Sequence, residues 1–238
     1  SKPKPCLNAD FSEFAMTLSE ILQIAQKDLS KIKLCAFDFD STLMDGETID
    51  ILANAYGVGD KVKEITHKAM NGELDFFESL TQRVALLKGM PYSLVDEICA
   101  NLPLMQGAKE LIEHLKSKKI LVVVFSGGFH EGIDEAQKVL EFDLGFANFL
   151  HARNGALTGL VGGEMMFSNS KGVMLARLKR FLNLAQSEVA CVGDGANDLA
   201  MFKESGLKIA FCAKPVLKAH ADLCVEQKDL KLLIKDFQ

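Results

Sequence analysis

The stretch Leu34-Cys35-Ala36-Phe37-Asp38-Phe39-Asp40-Ser41-Thr42-Leu43 carries four consecutive apolar residues that end on a pair of aspartates. A short apolar run without alternation marks a strand buried on both faces of a parallel sheet, and in such sheets the C-terminal strand ends open on the binding crevice. The pattern recurs. Ile120 to Phe125 runs into Ser126-Gly127-Gly128, Val189 to Val192 runs into Gly193-Asp194-Gly195-Ala196-Asn197-Asp198, and Leu207 to Phe211 forms a fourth run. Between them, apolar residues fall at helical spacing over about 107–118, 129–141, 171–184 and 196–205. Strands alternating with helices predict an α/β fold with a doubly wound parallel sheet.

Two stretches interrupt the alternation. Residues from about 48 to 104 have helical periodicity and no strand-like run, which predicts a small helical cap inserted after the first strand. The glycine-rich, alternating stretch Phe149 to Phe167 predicts a hairpin or flap. Before residue 30, Phe11, Phe14, Leu18, Ile21, Leu22, Ala25 and Leu29 share one helical face. That helix is expected to cover the body, with a subunit contact and hence a homodimer as the sharper alternative. The expected organisation is a helical extension over 1–32, a catalytic core over 33–46 and 105–238, and a cap over 47–104.

Bulk composition narrows the function classes. With 238 residues, 48% of them apolar and 25% charged, the chain is long enough for a substantial core and is not a disordered sequence. A net charge of -5 with scattered lysines and arginines argues against nucleic-acid binding. There is no run of roughly 18 apolar residues to span a membrane. The first residues lack the pattern of a signal peptide, so a cytoplasmic location is expected. The six cysteines contain no C-x-x-C pair, and the five histidines never reach helical metal-pair spacing, so packed thiols and solvated or packed imidazoles are expected.

The chemistry sits at the strand ends. Taken alone, Asp38 and Asp40 are equally a pair of turn aspartates. A second acidic strand end at Asp194 and Asp198 changes that, because two such ends side by side make an all-oxygen site for a hard cation such as Mg²⁺. At the third strand end, the Ser126 hydroxyl and the unobstructed amides of Gly127 and Gly128 can grip a phosphate oxygen. Lys171 opens a helix within reach of the same edge.

In this order, Asp38-x-Asp40-x-Thr42, the Ser126 strand end, Lys171, and Gly193-Asp194 through Asp198 resemble the haloacid dehalogenase superfamily, across nearly the whole chain after residue 33. Within it the chain is similar to the phosphoserine phosphatase family, through Glu47-Thr48-Ile49-Asp50, Ser126-Gly127-Gly128-Phe129 and Gly193-Asp194-Gly195-Ala196-Asn197-Asp198-Leu199-Ala200-Met201. The resemblance implies hydrolysis of phosphoserine, a small phosphorylated amino acid, at the last step of serine biosynthesis. It also implies roles. Asp38 would be the nucleophile and Asp40 the acid and then base. Mg²⁺ would be held by Asp38, Asp194 and the carbonyl of Asp40, with Asp198 behind them. Ser126, Gly127 and Lys171 would bind the phosphoryl group, with help from Asn197. Glu47 would meet the substrate ammonium and Arg83 its carboxylate. Phe76 is as readily a core aromatic as a substrate contact. Longer members carry an N-terminal regulatory domain for which residues 1–32 are too short, so amino-acid feedback is not implied. A phosphotransferase passing the group to a small alcohol such as homoserine, or a phospho-ligand sensor without turnover, are the alternatives.

Overall fold

The structure is a computed structural model that describes residues 32–238. The N-terminal amphipathic stretch, and the subunit contact considered for it, lie outside the described residues. Seven strands form one sheet in the order β4-β3-β2-β1-β5-β6-β7. Strand β1 spans Leu34–Asp38, β2 Leu121–Phe129, β3 Leu144–Arg153, β4 Ala156–Gly163, β5 Val189–Gly193, β6 Leu207–Phe211 and β7 Leu223–Val225. All neighbours are parallel except β3 and β4, which form an antiparallel hairpin.

Burial on both faces accounts for the unbroken apolar runs. In β1, Cys35 and Phe37 belong to one core, with α5 (Ala108–Ser117), α6 (His130–Leu140) and the C-terminal turn Leu230–Phe237. Leu34 and Ala36 belong to the other, beneath α7 (Ser170–Leu182) and α8 (Leu199–Phe202). The residues alternate face by face, as strand geometry requires, and neither face meets water. The chain works outward from β1 through β2 to β3 and then returns to β5 on the opposite side of β1. Ligands of doubly wound sheets bind where the strand order reverses in this way.

Between β1 and α5 lie four helices, α1 (Thr48–Ala55), α2 (Gly59–Met70), α3 (Phe76–Ala85) and α4 (Tyr92–Cys99). They surround a separate apolar cluster that includes Ile49, Leu52, Val62, Leu80 and Val95. A capping box starts α3: the Asp75 carboxylate accepts from the Glu78 amide at 2.8 Å.

Three local expectations are corrected. The stretch from Phe149 forms the expected hairpin, but β3 starts earlier, at Leu144, and pairs with β2, so the hairpin is part of the sheet. Strand β2 does not stop at Phe125. It runs to Phe129 with a register irregularity, since the glycine pair accommodates a bulge without ending the strand. Cys224 is disulfide-bonded, whereas Cys35, Cys99, Cys191 and Cys212 are free thiols; the absence of a C-x-x-C pair is no test for a disulfide.

Candidate active site

Strand register brings the sequence motifs together. Asp38 is level with Phe125, so Ser126 and Gly127 follow one step beyond it, and Phe37 is level with Val192, which places Asp194 beside Asp38 across the switch point. Oxygen atoms of Asp38, Asp194 and Asp198 lie within 4.8 Å of one another. Three carboxylates at that separation repel strongly unless cations intervene. Lys171 supplies one cation: buried at the start of α7, its Nζ donates to Asp38 Oδ1 at 2.6 Å and to Asp198 Oδ1 at 2.7 Å. Burial alone would lower the lysine pKa, but the two carboxylates overcome it and hold the ammonium charged.

The three aspartates are not equivalent. Asp198 has both oxygens engaged, Oδ1 by Lys171 and Oδ2 by the amides of Asp194 and Gly195 at 2.9 and 3.1 Å. It locks the loop after β5, and any side chain on Gly193 would collide with its carboxylate, 2.5 Å from a Cβ there. The Asp194 carboxylate by contrast is loosely held, accepting a long bond from the Thr42 hydroxyl at 3.5 Å. Burial, then the charge of Asp38, push its carboxyl up to about 11. A site that favours a proton this strongly is short of positive charge, and its all-oxygen donors suit a hard divalent ion. The cluster can therefore hold a metal.

Asp40 points away from that cluster. Its Oδ1 accepts from the amide and hydroxyl of Thr48 at 3.0 and 2.6 Å, so the first turn of α1 fixes the carboxylate at a helix N-terminus. Burial raises its pKa, the Thr48 hydroxyl opposes this, the charge of Asp38 adds to it, and the outcome is about 6. Ser41 sits in the left-handed region at φ 60°, in the turn between Asp40, which lines the crevice, and Thr42, which is buried against Asp194. Gly128 closes the far side, with Asp40 Oδ2 and Ser126 Oγ each 3.1 Å from where its Cβ would stand. Ser126 Oγ accepts from the Gly128 amide at 2.9 Å.

A cavity of about 560 Å³ opens over these groups. Asp38, Asp40, Gly127, Asp194 and Asn197 form its floor, while Phe76, Ser79, Leu80 and Arg83 line it from α3. Those four residues fall at i, i+3, i+4 and i+7, so one face of a single helix forms that wall. Glu47 stands between wall and floor, with one oxygen held by the Ser41 hydroxyl at 2.7 Å. Burial and the charge of Asp40 raise its pKa to about 8, which marks it as a carboxylate in want of a cationic partner. Arg83 is half-buried, its Nε donating to the Ser79 carbonyl at 3.2 Å, and it makes no ion pair among the described residues. Burial lowers its pKa against the pull of Glu47, Asp50 and Asp40.

The residues given roles from the sequence thus converge on or just behind one cavity. Two supporting residues were not singled out. Thr48 orients Asp40, and Asn148, fully buried on β3, donates through Nδ2 to the carbonyls of Gly127 and Met165 and accepts from the Met165 amide. An isolated asparagine in an alternating strand offers no spacing signal. Phe76 takes both places, packing against the apolar cluster of the four helices and lining the cavity, where its Cζ is 2.7 Å from where a Cβ on Gly127 would lie. We predict that Gly127→Ala forces Phe76 off the phosphate-facing loop and lowers kcat/KM by roughly 10²-fold, the scale of an ångström misplacement, with little change in melting temperature. Unchanged kcat/KM in steady-state assays would show that the close packing there is dispensable.

The chain belongs to the haloacid dehalogenase-like hydrolases, whose family pattern matches residues 32–206. Within that class it belongs with the phosphoserine phosphatases. It is 68% identical to the phosphoserine phosphatase of Campylobacter jejuni subsp. doylei, over 86% of this chain and 99% of that protein. Identity with the enzyme of the same name from Methanocaldococcus jannaschii is 45%, over 86% and 97% of the two chains. Among solved structures, a phospho-aspartyl intermediate analogue and a substrate-bound complex of phosphoserine phosphatase each match with a TM-score of 0.82 at 44% identity, covering 87% of this chain and 99% of theirs.

Proposed function

We propose that this chain hydrolyses free O-phospho-L-serine to serine and phosphate through an aspartyl-phosphate on Asp38, with Mg²⁺ as its metal. The observation that carries the substrate is the unpaired arginine and the charge-starved glutamate on one cavity wall, facing a phosphate-binding floor. An amino acid phosphorylated on its side chain offers a carboxylate, an ammonium and a phosphate, which match those three groups. The named relatives and the substrate-bound neighbour support the same reading.

The residues divide the work. An Asp38 carboxylate oxygen attacks phosphorus as the bond to the seryl oxygen breaks, and Asp40, in its acid form, gives its proton to that oxygen. Asp40, now a carboxylate, then takes a proton from the water that attacks the aspartyl-phosphate, releasing phosphate and restoring Asp38. A pKa of about 6 suits a group that must act both ways near neutrality. Lys171, Ser126 and the Gly127 amide bind the phosphoryl oxygens as charge develops, and Asn197 joins them. Mg²⁺, when bound by Asp38, Asp194 and the Asp40 carbonyl, supplies the positive charge that lets a phosphate dianion approach a carboxylate. Residues 47–104 act as the cap and 33–46 with 105–238 as the catalytic core; the cap excludes water until the leaving group departs.

The test is phosphate release in Mg²⁺ over phosphorylated amino acids, sugars and nucleotides; a sugar or nucleotide turned over faster than phosphoserine refutes the substrate. Arg83→Ala sharpens it. Losing a charge-assisted fork should cost about 1.5–3 kcal/mol, a tenfold to hundredfold fall in kcat/KM on phosphoserine, and leave a simple aryl phosphate nearly unaffected. An equal loss on both substrates would reassign Arg83 to cap closure.

A further inference from the structure

The cavity has a charge problem that the residues above do not solve. Five carboxylates line it, Asp38, Asp40, Glu47, Asp50 and Asp194, against two cations, Arg83 and Lys214. The Lys171 ammonium lies deep in the site and is already shared between Asp38 and Asp198. Mg²⁺ would offset charge on the floor, but a phosphate ester entering past Glu47 and Asp50 still meets carboxylates, and a cation at the rim would speed its capture. Arg83 is on α3, within the field of Glu47 and Asp50.

Lys214 is placed differently. It lies on the core side, in the turn after β6, where Cys212 adopts φ 45° and bends the chain back toward the site. The Lys214 amide donates to the Asp194 carbonyl at 2.8 Å, which pins this turn to the aspartate-bearing loop. Its residue is exposed while lining the cavity, and its ammonium makes no hydrogen bond or ion pair among the described residues. Two neighbouring lysines do find partners: Lys218 pairs with Glu226 and Lys228 with Asp45.

We propose that Lys214 captures the phosphate group of the incoming substrate at the cavity rim and hands it to the floor, a specificity residue for phosphate dianions distinct from the carboxylate-reading Arg83. The proposal deepens the phosphoserine phosphatase reading and rests on it. Lys214 touches substrate on the way in, so its effect lies in kcat/KM and in the response to salt, since a charge at a solvated rim is screened within about 8 Å at physiological ionic strength.

The experiment compares wild type with Lys214→Ala, Lys214→Arg and Lys214→Glu on phosphoserine and on an aryl phosphate, in saturating Mg²⁺, across a series of ionic strengths. At low salt Lys214→Ala should lower kcat/KM roughly threefold to tenfold on both substrates, the lower end of electrostatic steering. The loss should be carried in KM and should shrink as ionic strength rises, Lys214→Glu should fall further and Lys214→Arg should recover most of the rate. A wild-type kcat/KM and salt slope in Lys214→Ala would overturn the proposal. A loss confined to phosphoserine would overturn it as well, by assigning the lysine to the amino-acid end, as would a fall in kcat at unchanged KM. If wild type shows no preference for phosphoserine, the substrate reading fails, while the aryl phosphate series still decides the role of Lys214.

Discussion

Asp38→Asn should leave no measurable turnover, a loss on the order of 10⁴–10⁶-fold, as when the nucleophile of another covalent catalyst is removed. The amide is nearly the same size, keeps an oxygen for the Lys171 ammonium and the Phe39 amide, which now hold Asp38 Oδ1 at 2.6 and 2.8 Å, and so preserves the local shape. What it lacks is the lone-pair charge needed to attack a phosphate dianion without a base. Acid quench of the wild type in the presence of radiolabelled phosphoserine should trap label on the protein, and the variant should trap none. The fold should survive, because Lys171 retains Asp198 as its partner. Turnover within tenfold of wild type would remove Asp38 from the reaction.

Removing Mg²⁺ should be nearly as severe and, unlike the substitution, reversible. In chelator the cluster of Asp38, Asp194 and Asp198 sets three carboxylates against one lysine, and restoring millimolar Mg²⁺ should restore the rate. A second readout does not depend on activity. A ligand bound only by the folded state stabilises it by about 2.7 kcal/mol at a hundred times its dissociation constant, so Mg²⁺ should raise the melting temperature by several degrees. Asp194→Asn takes one negative charge from the same cluster. It should melt no lower than wild type in chelator and lose the rise with Mg²⁺. A full Mg²⁺-dependent rise in that variant would exclude Asp194 as a ligand.

How much of this was legible in the sequence follows from which forces act locally. The apolar runs ending in Asp38, Ser126 and Asp194 identified three central strands and their functional ends, because burial on both faces leaves a continuous apolar signature. The hairpin was visible as a hairpin, yet its membership in the sheet was not, since pairing of β3 with β2 is decided by partners about twenty residues apart. Strand β7, only Leu223–Val225, is too short for any periodicity to register. At the site, charged and glycine residues in motif order were enough to assemble the floor. The supporting contacts were not, because Thr48 and Asn148 act through hydrogen bonds whose geometry exists only once the chain has folded.

One feature of the hairpin reaches beyond catalysis. The outer edge of β4 is covered by the chain after α3: the Gly89 amide donates to the Leu157 carbonyl at 2.8 Å, the Leu157 amide to Met90 at 2.9 Å and the Tyr92 amide to Gly155 at 2.9 Å. Leu150, Leu157 and Met166 also share the apolar cluster of the four helices. The helical insert and the hairpin are therefore one packing unit written in two separate pieces of sequence. Anyone exchanging substrate preference among relatives by transplanting residues 47–104 alone would strand those three side chains against a foreign surface and unpair an exposed sheet edge, an invitation to aggregation. A workable chimaera carries residues 144–166 along with the helices, so recombination between divergent relatives is constrained to crossovers that keep both pieces from one parent.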